Sequence, residues 1–241
     1  MLRVRVIPII LIAEGKVVKT RGFKAAKYVG DPVNTVKLFS DLGADEIIIL
    51  DIEAALKREV FDLSLMERIA SVCNVPLGVG GGITTPENAL RLIEAGTEKV
   101  VINSSSFDGS ELLLEISSRV GSQALVGSID YRASSGKVST ASNKKVSRDS
   151  PSERVKFLES CGVGEILLTS VEHEGMMAGI DLGVIETLSG LTNLPIILHG
   201  GVRNVSDIRK VIASGYASAV GVGSFFMFQD IKRQVVLHYE R

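Results

Sequence analysis

Two glycine pairs, each followed along the chain by small polar residues, are the first candidates for ligand chemistry. Gly80-Gly81-Gly82-Ile83 follows a short aliphatic run, and Asn103-Ser104-Ser105 follows the next one. The set Gly200-Gly201-Val202 with Gly223-Ser224 repeats the pattern nearer the C-terminus. Bare glycine backbone can approach an anion closely, and amide or hydroxyl side chains add donors. Each set predicts a phosphate cradle, although a glycine pair alone is also typical of a tightly packed turn.

Acidic residues and histidines follow other aliphatic runs and could carry acid–base chemistry. Asp51 and Asp130 each come directly after such a run, and Glu174-Gly175 lies in a later loop. Carboxylates held at strand ends are candidates for a general acid or base. Asp51 is equally compatible with a helix cap or with accepting a sugar hydroxyl. His173 and His199 lie at similar positions, where a histidine more often bonds locally than contacts a ligand; His238 is expected at the surface.

The elements that must position these residues are eight strand–helix units. Aliphatic runs occupy Val4–Ile12, Glu46–Leu50, Pro76–Val79, Val100–Ile102, Ala124–Ile129, Glu165–Leu168, Pro195–Leu198 and Ala219–Val222. Proline near the first turn predicts helix starts after Asp31, Thr85 and Ser150, and Gly43, Gly96, Gly162 and Gly215 predict helix ends. The pattern predicts one domain over residues 1–241, a single (β/α)₈ TIM barrel, with its chemistry at the C-terminal ends of the strands.

An internal repeat supports this scaffold. When the chain is shifted along itself by 119 residues, Gly81-Gly82 falls on Gly200-Gly201. The same shift aligns Ser105 with Ser224, Gly96 with Gly215 and Glu46-Ile47 with Glu165-Ile166. The repeat predicts two half-barrels, about residues 1–120 and 121–241. The symmetry breaks where Leu11 falls on Asp130.

Four charged residues lie at the opposite, N-terminal ends of predicted strands. They are Arg5, Glu46, Lys99 and Glu165, two of each sign. Spacing alone favours routine ion pairing at the barrel base.

Composition excludes several classes of protein. The net charge of −1 provides no broad field for nucleic acid or an anionic membrane, and no apolar stretch is long enough to span a bilayer. Cys73 and Cys161 are far apart, with no metal-ligand spacing around them, which predicts two reduced thiols in a cytoplasmic protein. We expect no metal and no cofactor.

Several motifs resemble the cyclase subunit of imidazole glycerol phosphate synthase, over nearly the whole chain. They are Val6-Ile7-Pro8, Gly15-Lys16-Val17-Val18-Lys19, Gly30-Asp31-Pro32, Asp45-Glu46, Leu50-Asp51-Ile52, Gly80-Gly81-Gly82-Ile83 and Glu165-Ile166-Leu167-Leu168-Thr169-Ser170. The resemblance implies a glutaminase partner docked at the barrel bottom, ammonia passing through the barrel, and a bisphosphate cleaved and cyclised at the top. It also implies that the four strand-start charges form the ammonia gate, and that Glu98 lies at the docking surface.

The chain departs from the family pattern at the top of the barrel. The family uses two opposed catalytic aspartates; the second is present as Asp130, whereas Leu11 occupies the first position. Glu174 stands where the family has Asp, and Met176-Met177 stands where small or polar residues would help to hold phosphate. These changes, with Lys19-Thr20 and Lys27-Tyr28-Val29-Gly30-Asp31-Pro32, look like a paralogue branch linked to acetamidino sugars of surface polysaccharides.

Three functions are compatible with this sequence. The first is an ammonia-conducting subunit of a glutamine-dependent system, paired with a glutaminase and serving a sugar amidotransferase, with Lys19 and Asp130 kept for ligand binding or residual chemistry. The second is a working cyclase of histidine biosynthesis. The third is an inert scaffold or a sensor of a phosphorylated small molecule.

Overall fold

The computed structural model describes residues 4–57, 59–139 and 147–228, so His238 lies outside the described residues. In chain order the elements are β1 (Arg5–Ala13), β2 (Lys16–Arg21), β3 (Lys24–Gly30), α1 (Pro32–Asp41), β4 (Ile47–Asp51), α2 (Ala54–Lys57), α3 (Leu63–Ala70), β5 (Leu77–Gly80), α4 (Pro86–Glu94), β6 (Lys99–Ile102), a 3₁₀ helix (Ser104–Phe107), α5 (Glu111–Val120), a second 3₁₀ helix (Ser122–Ala124), β7 (Leu125–Arg132), β8 (Lys137–Ser139), α6 (Pro151–Ser160), β9 (Glu165–Ser170), α7 (Gly183–Ser189), β10 (Ile196–His199), α8 (Val205–Ser214), β11 (Ala219–Val222) and α9 (Ser224–Met227).

Eight of the strands form one closed parallel sheet. Neighbouring strands pair in the order β1, β4, β5, β6, β7, β9, β10 and β11, and β11 pairs back onto β1, with Arg5 opposite Ala219. Helices connect successive strands, as a parallel sheet requires. The predicted (β/α)₈ barrel is confirmed.

The helix boundaries follow from local side-chain chemistry. The Asp31 carboxylate accepts the Asn34 amide at 2.9 Å ahead of α1, and Thr85 and Ser150 form capping boxes ahead of α4 and α6. The four predicted stop glycines all have positive φ, between 71° and 104°. The left-handed backbone ends each helix at little cost because glycine has no Cβ.

The apolar interior divides into two clusters because strand residues alternate between two faces. The larger cluster joins the outer strand faces to the helices. The second, here called the inner cluster, takes its buried members from strands only and therefore fills the barrel itself. Its buried members are Ile7, Ile9, Leu11, Ala13, Val18, Ile48, Val101, Val126, Leu167, Ile197 and Ala219.

Two additions to the barrel were not predicted. After β1 the chain turns at Glu14-Gly15 and forms an antiparallel hairpin, β2 and β3, which we call the mouth hairpin. After β7, the short strand β8 pairs back on it. Both additions lie at the C-terminal ends of barrel strands, beside the predicted chemistry.

Two further findings concern the described part of the chain. None of its helices is both long and apolar enough to cross a membrane. Cys73 and Cys161 are both free.

Candidate active site at the carboxyl ends of the strands

Three buried polar residues lie side by side on adjacent strands of the second half. Asp130 on β7 is in register with Thr169 on β9, and Thr169 is in register with His199 on β10. All three are at most 4% exposed. We call them the polar row; their common height in the sheet places three proton-bearing groups on one arc of the mouth.

Asp130 is a carboxyl group poised to exchange a proton near neutral pH. Burial raises its pKa to about 7, and the charge of Glu174 also raises it, against a lowering hydrogen bond from Asn103. Asn103 Nδ2 donates to Asp130 Oδ2 at 2.9 Å and lies 3.2 Å from Ser128 Oγ. A general acid or base works best when its pKa is close to the working pH; the catalytic role of Asp130 stays a prediction.

The pKa of His199 is shifted in the opposite direction to that of Asp130. Burial, together with the charge of Lys19, lowers its pKa to about 3, so the imidazole is neutral at neutral pH. Its Nδ1 lies 3.3 Å from Thr169 Oγ1. His173, in contrast, meets Ser170 Oγ at 2.7 Å in a local hydrogen bond.

Lys19 reaches the mouth from the hairpin. It is fully buried on β2, and its Nζ donates to the Ile9 carbonyl oxygen at 2.7 Å. A Cβ placed on Gly223 would lie 2.6 Å from Lys19 Nζ and 3.5 Å from His199 Nε2. Lys19 and His199 therefore converge on the same glycine of the second cradle.

Glu174 ties the mouth hairpin to the loop that follows β9. Its carboxylate accepts from Thr20 Oγ1 at 2.8 Å and from the Phe23 amide at 3.4 Å, and its carbonyl oxygen accepts from the Gly22 amide at 2.8 Å. Gly175 packs so closely on the hairpin that a Cβ would collide with the Thr20 carbonyl oxygen. The predicted ligand-binding position of Glu174 is thus also a latch.

The glycines of the two cradles are required by packing. A Cβ on Gly82 would collide with the Glu59 carbonyl oxygen, and one on Gly201 would collide with the Gly179 carbonyl oxygen. Gly81 and Gly200 pack less tightly, on the ends of the preceding strands, where a Cβ would lie 2.7 Å from Asp51 and 2.8 Å from Ser170. The tight-turn interpretation alone therefore accounts for glycine here, and an anion site needs separate support.

That support differs between the cradles. In the first, Ser105 Oγ donates to the Ile83 carbonyl oxygen at 2.5 Å, while Ser104 begins the adjoining 3₁₀ helix. In the second, Ser224 Oγ is buried and has no hydrogen-bond partner among the described residues. A buried hydroxyl without a partner is costly and points to a missing ligand or water.

A small cavity lies over the second cradle. Its lining is formed by Glu174, Gly175, Met177, His199, Gly200, Gly201, Val202, Gly221, Gly223 and Ser224. Met177 is 8% exposed and has a φ of 53°, whereas Met176 is 46% exposed. Met177 therefore forms a wall of this cavity, and Met176 does not line it.

Asp51 caps a helix and also lines a second cavity. Its Oδ1 accepts from the amides of Glu53 and Ala54, both at 2.9 Å, at the start of α2. Burial raises its pKa against these two bonds. The cavity beside it has an acidic lining that includes Glu14 and Glu59. The helix-cap interpretation is therefore met, and the carboxylate is also open to a ligand.

The four charges at the other end of the barrel form a closed ring. Arg5 bonds both Glu46, at 2.6 Å, and Glu165, and Lys99 bonds the same two carboxylates at 2.8 Å each. We call these four residues the charged ring. Glu98, next in the chain to Lys99, is exposed and accepts the Leu77 amide at 2.7 Å.

The burial of the Arg154 side chain was not predicted. Arg154 on α6 is 4% exposed, lies between the rings of Phe107 and Phe157, and bonds Ser106 in the 3₁₀ helix of the first cradle. An arginine within a helical pattern is normally predicted to be exposed to solvent. The only sequence signal for its burial is the nearby Phe157. Arg154 braces the loop that carries Ser104 and Ser105.

Fold and site together define a (β/α)₈ barrel with perturbed acid–base groups and glycine-rich loops at its strand ends. A profile of the histidine biosynthesis protein family matches residues 5–232. The chain is 37% identical to a protein of Vibrio vulnificus provisionally named imidazole glycerol phosphate synthase subunit hisF3, over 99% of this chain and 94% of the relative. It is 36% identical to the similarly named subunit hisF2 of Pseudomonas aeruginosa and 32% identical to a HisF subunit of Leptospira interrogans, each over 99% of this chain and 96% of the relative.

The chain belongs to the HisF family, the cyclase subunits of imidazole glycerol phosphate synthase.

Proposed function

We propose that this barrel receives ammonia from a glutaminase docked at the charged ring and delivers it through its apolar interior to a phosphorylated ligand at the mouth. The observation that carries the proposal is the placement of the charged ring, whose four members pair with one another at the base of the inner cluster. The inner cluster lies between the charged ring and the mouth, which supports a route for ammonia along the barrel axis.

The interior suits a small neutral molecule. Above the ring, the inner cluster is aliphatic, with Ile7, Ile48 and Leu167 among its fully buried members. Transferring an ion into such surroundings costs many kcal/mol, whereas neutral ammonia avoids that penalty. The barrel therefore favours ammonia over ammonium.

The mouth suits an anionic ligand. Lys19 supplies a positive charge beside the second cradle, and Ser224 supplies a hydroxyl without a partner among the described residues. Two cradles on opposite halves of the mouth fit a ligand with two phosphate groups.

The downstream pathway that we propose is acetamidino sugar synthesis, with a sugar amidotransferase as the final user of ammonia. Leu11 supports this choice. It replaces the first aspartate of the family pattern and is 5% exposed within the inner cluster, so it cannot move a proton. Delivery of ammonia needs no such group.

Co-expression with the glutaminase encoded in the same genome tests the partner. We expect a stable complex and a glutaminase rate that rises when the barrel is present. Glu98→Gln, which keeps the acceptor for the Leu77 amide but removes the charge, should weaken association. Lys57→Ala, which breaks an exposed pair on α2, is the matched control. A glutaminase that ignores the barrel would refute the proposal.

A working cyclase of histidine biosynthesis is the second candidate, and the pKa of Asp130 near 7 favours it. Ammonia-driven turnover of the family's bisphosphate substrate separates the two functions. Robust turnover that is lost in Asp130→Asn would establish a cyclase with an altered proton relay. No turnover in the wild type, with activity gained in Leu11→Asp, would establish that cyclisation has been lost and delivery kept.

A further inference from the structure

The second cradle holds two polar side chains that line the same small cavity. Ser224 is 7% exposed, and its Oγ has no hydrogen-bond partner among the described residues. His199 is 4% exposed and lines the same cavity. A buried polar group of this kind is retained at a cost unless something completes its hydrogen bonds.

The first cradle is an internal control for this observation. The shift of 119 residues aligns Ser105 with Ser224 and Ile83 with Val202. Ser105 donates to the Ile83 carbonyl oxygen, whereas the matching bond from Ser224 to Val202 is not made. The two loops share their packing glycines but not this bond, so the hydroxyl of the second cradle stays available.

His199 has no counterpart in the first cradle, because the same shift aligns it with Gly80. Thr169 Oγ1 lies 3.3 Å from its Nδ1. When the threonine hydroxyl donates to Nδ1, the proton of the neutral ring lies on Nε2. Nε2 faces Gly223, beside Lys19 Nζ.

The geometry points to His199 as a further ligand-binding residue, which donates through Nε2–H, together with Ser224 Oγ–H, to an oxygen of a phosphate monoester in the second cradle. Thr169 is then a positioning residue that fixes the tautomer. This inference rests on one part of the proposed function, namely that the mouth binds a phosphorylated ligand. It adds His199, which has no counterpart in the first cradle. Lys19 contributes a positive charge, and the neutral imidazole contributes a directional hydrogen bond.

Inorganic phosphate and ribose 5-phosphate are suitable probes, used with the full chain. Imidazole ¹⁵N spectra should show His199 as the Nε2–H tautomer, and its Nε2 signal should move as either probe saturates. A titration with sodium chloride at the same ionic strength, which supplies no phosphate oxygen, is the control. The Nδ1–H tautomer, or phosphate binding that leaves the His199 signal in place, would overturn the inference.

Substitutions test the same point by affinity. His199→Leu should weaken binding of ribose 5-phosphate by about tenfold to a hundredfold, since a hydrogen bond to a charged group is lost. His199→Gln keeps a donor near Nε2 and should restore most of the affinity. Ser224→Ala should weaken binding, and Ser105→Ala should weaken it less. Equal losses at the two serines, or no binding of either probe to the wild type, would refute the inference. Stimulation of the glutaminase by the wild-type barrel is measured without either probe, so loss of that stimulation refutes the ammonia proposal and is distinct from failure here.

Discussion

The two halves of the barrel mouth share a backbone pattern but not a chemistry. In the second half, the polar row of Asp130, Thr169 and His199 crosses β7, β9 and β10. At the matching height in the first half, Leu11, Leu50 and Gly80 cross β1, β4 and β5 in the same register. We call these three the apolar row. The repeat therefore preserves the packing of strands and glycines, whereas at these six positions the side chains that can exchange a proton all lie in the second half.

The sharpest way to break this asymmetry is to place a carboxylate in the apolar row. Leu11→Asp removes a packed side chain from the inner cluster and buries an acid that has no counterpart of Asn103 beside it. We expect a stability loss of about 5 kcal/mol at pH 8. The loss should be smaller at pH 5, where the acid is protonated. Urea unfolding at the two pH values measures it, and Leu11→Asn, which cannot ionise, should show no such pH dependence.

Asp130→Asn removes a carboxylate from the polar row and should stabilise the protein, whereas Leu11→Asp should destabilise it. The folded-state pKa of Asp130 is raised from 3.8 to about 7, so the folded protein binds the proton more tightly than the unfolded chain does. The carboxyl therefore costs stability that grows as pH rises from 4 and levels off above 7. Removing it should stabilise the protein by up to about 4 kcal/mol at pH 8. Equal stability changes at pH 4 and pH 8 would contradict this account.

His199 should give a pH dependence of the other sign. Its pKa is lowered from 6.5 to about 3. Between these two pH values the unfolded chain binds a proton on this group and the folded protein does not. Stability should fall as pH drops below 6.5, by about 2 kcal/mol at pH 5 from this group alone. His199→Gln should remove that loss and leave the alkaline side unchanged. Thermal unfolding from pH 5 to pH 8 measures it, with His173→Gln as the matched control.

The smallest expected difference separates the two cradle serines. Ser105→Ala breaks a bond to the Ile83 carbonyl oxygen and should cost about 1 kcal/mol. Ser224→Ala removes a hydroxyl that has no partner among the described residues, so it should be neutral or slightly stabilising without ligand. Chemical unfolding of both variants in phosphate-free buffer provides the comparison. A loss at Ser224 as large as at Ser105 would show that the two cradles are equivalent.

Much of the scaffold could be predicted from the sequence because local signals agree with the fold. The eight strands, the helix caps at Asp31, Thr85 and Ser150, and the stop glycines depend on neighbours in the chain. The charged ring could be placed as well, because Arg5, Glu46, Lys99 and Glu165 stand at or next to strand starts. Parallel strands bring their starts to one end of the barrel.

The contacts that make the mouth a site could not be predicted. The mouth hairpin is short, and the sequence of β2 is typical of a polar loop because it contains Lys16, Lys19 and Arg21. Its function in the fold depends on Glu174, which is 154 residues away from Thr20 in the chain. The burial of Arg154 likewise depends on distant Ser106. The pKa shifts of Asp130 and His199 arise from burial, which spacing does not reveal.

The latch formed by Glu174 has a kinetic consequence. The bonds from Glu174 to Thr20 and Gly22 must open before the hairpin can move, so a ligand whose passage needs that movement waits for a local opening step. Its association should then be slower than that of a ligand which does not need the hairpin to move. A molecule already inside is retained for the same reason. The hairpin thus lengthens the residence time of such a molecule, which would suit the proposed delivery of ammonia to a ligand held at the mouth.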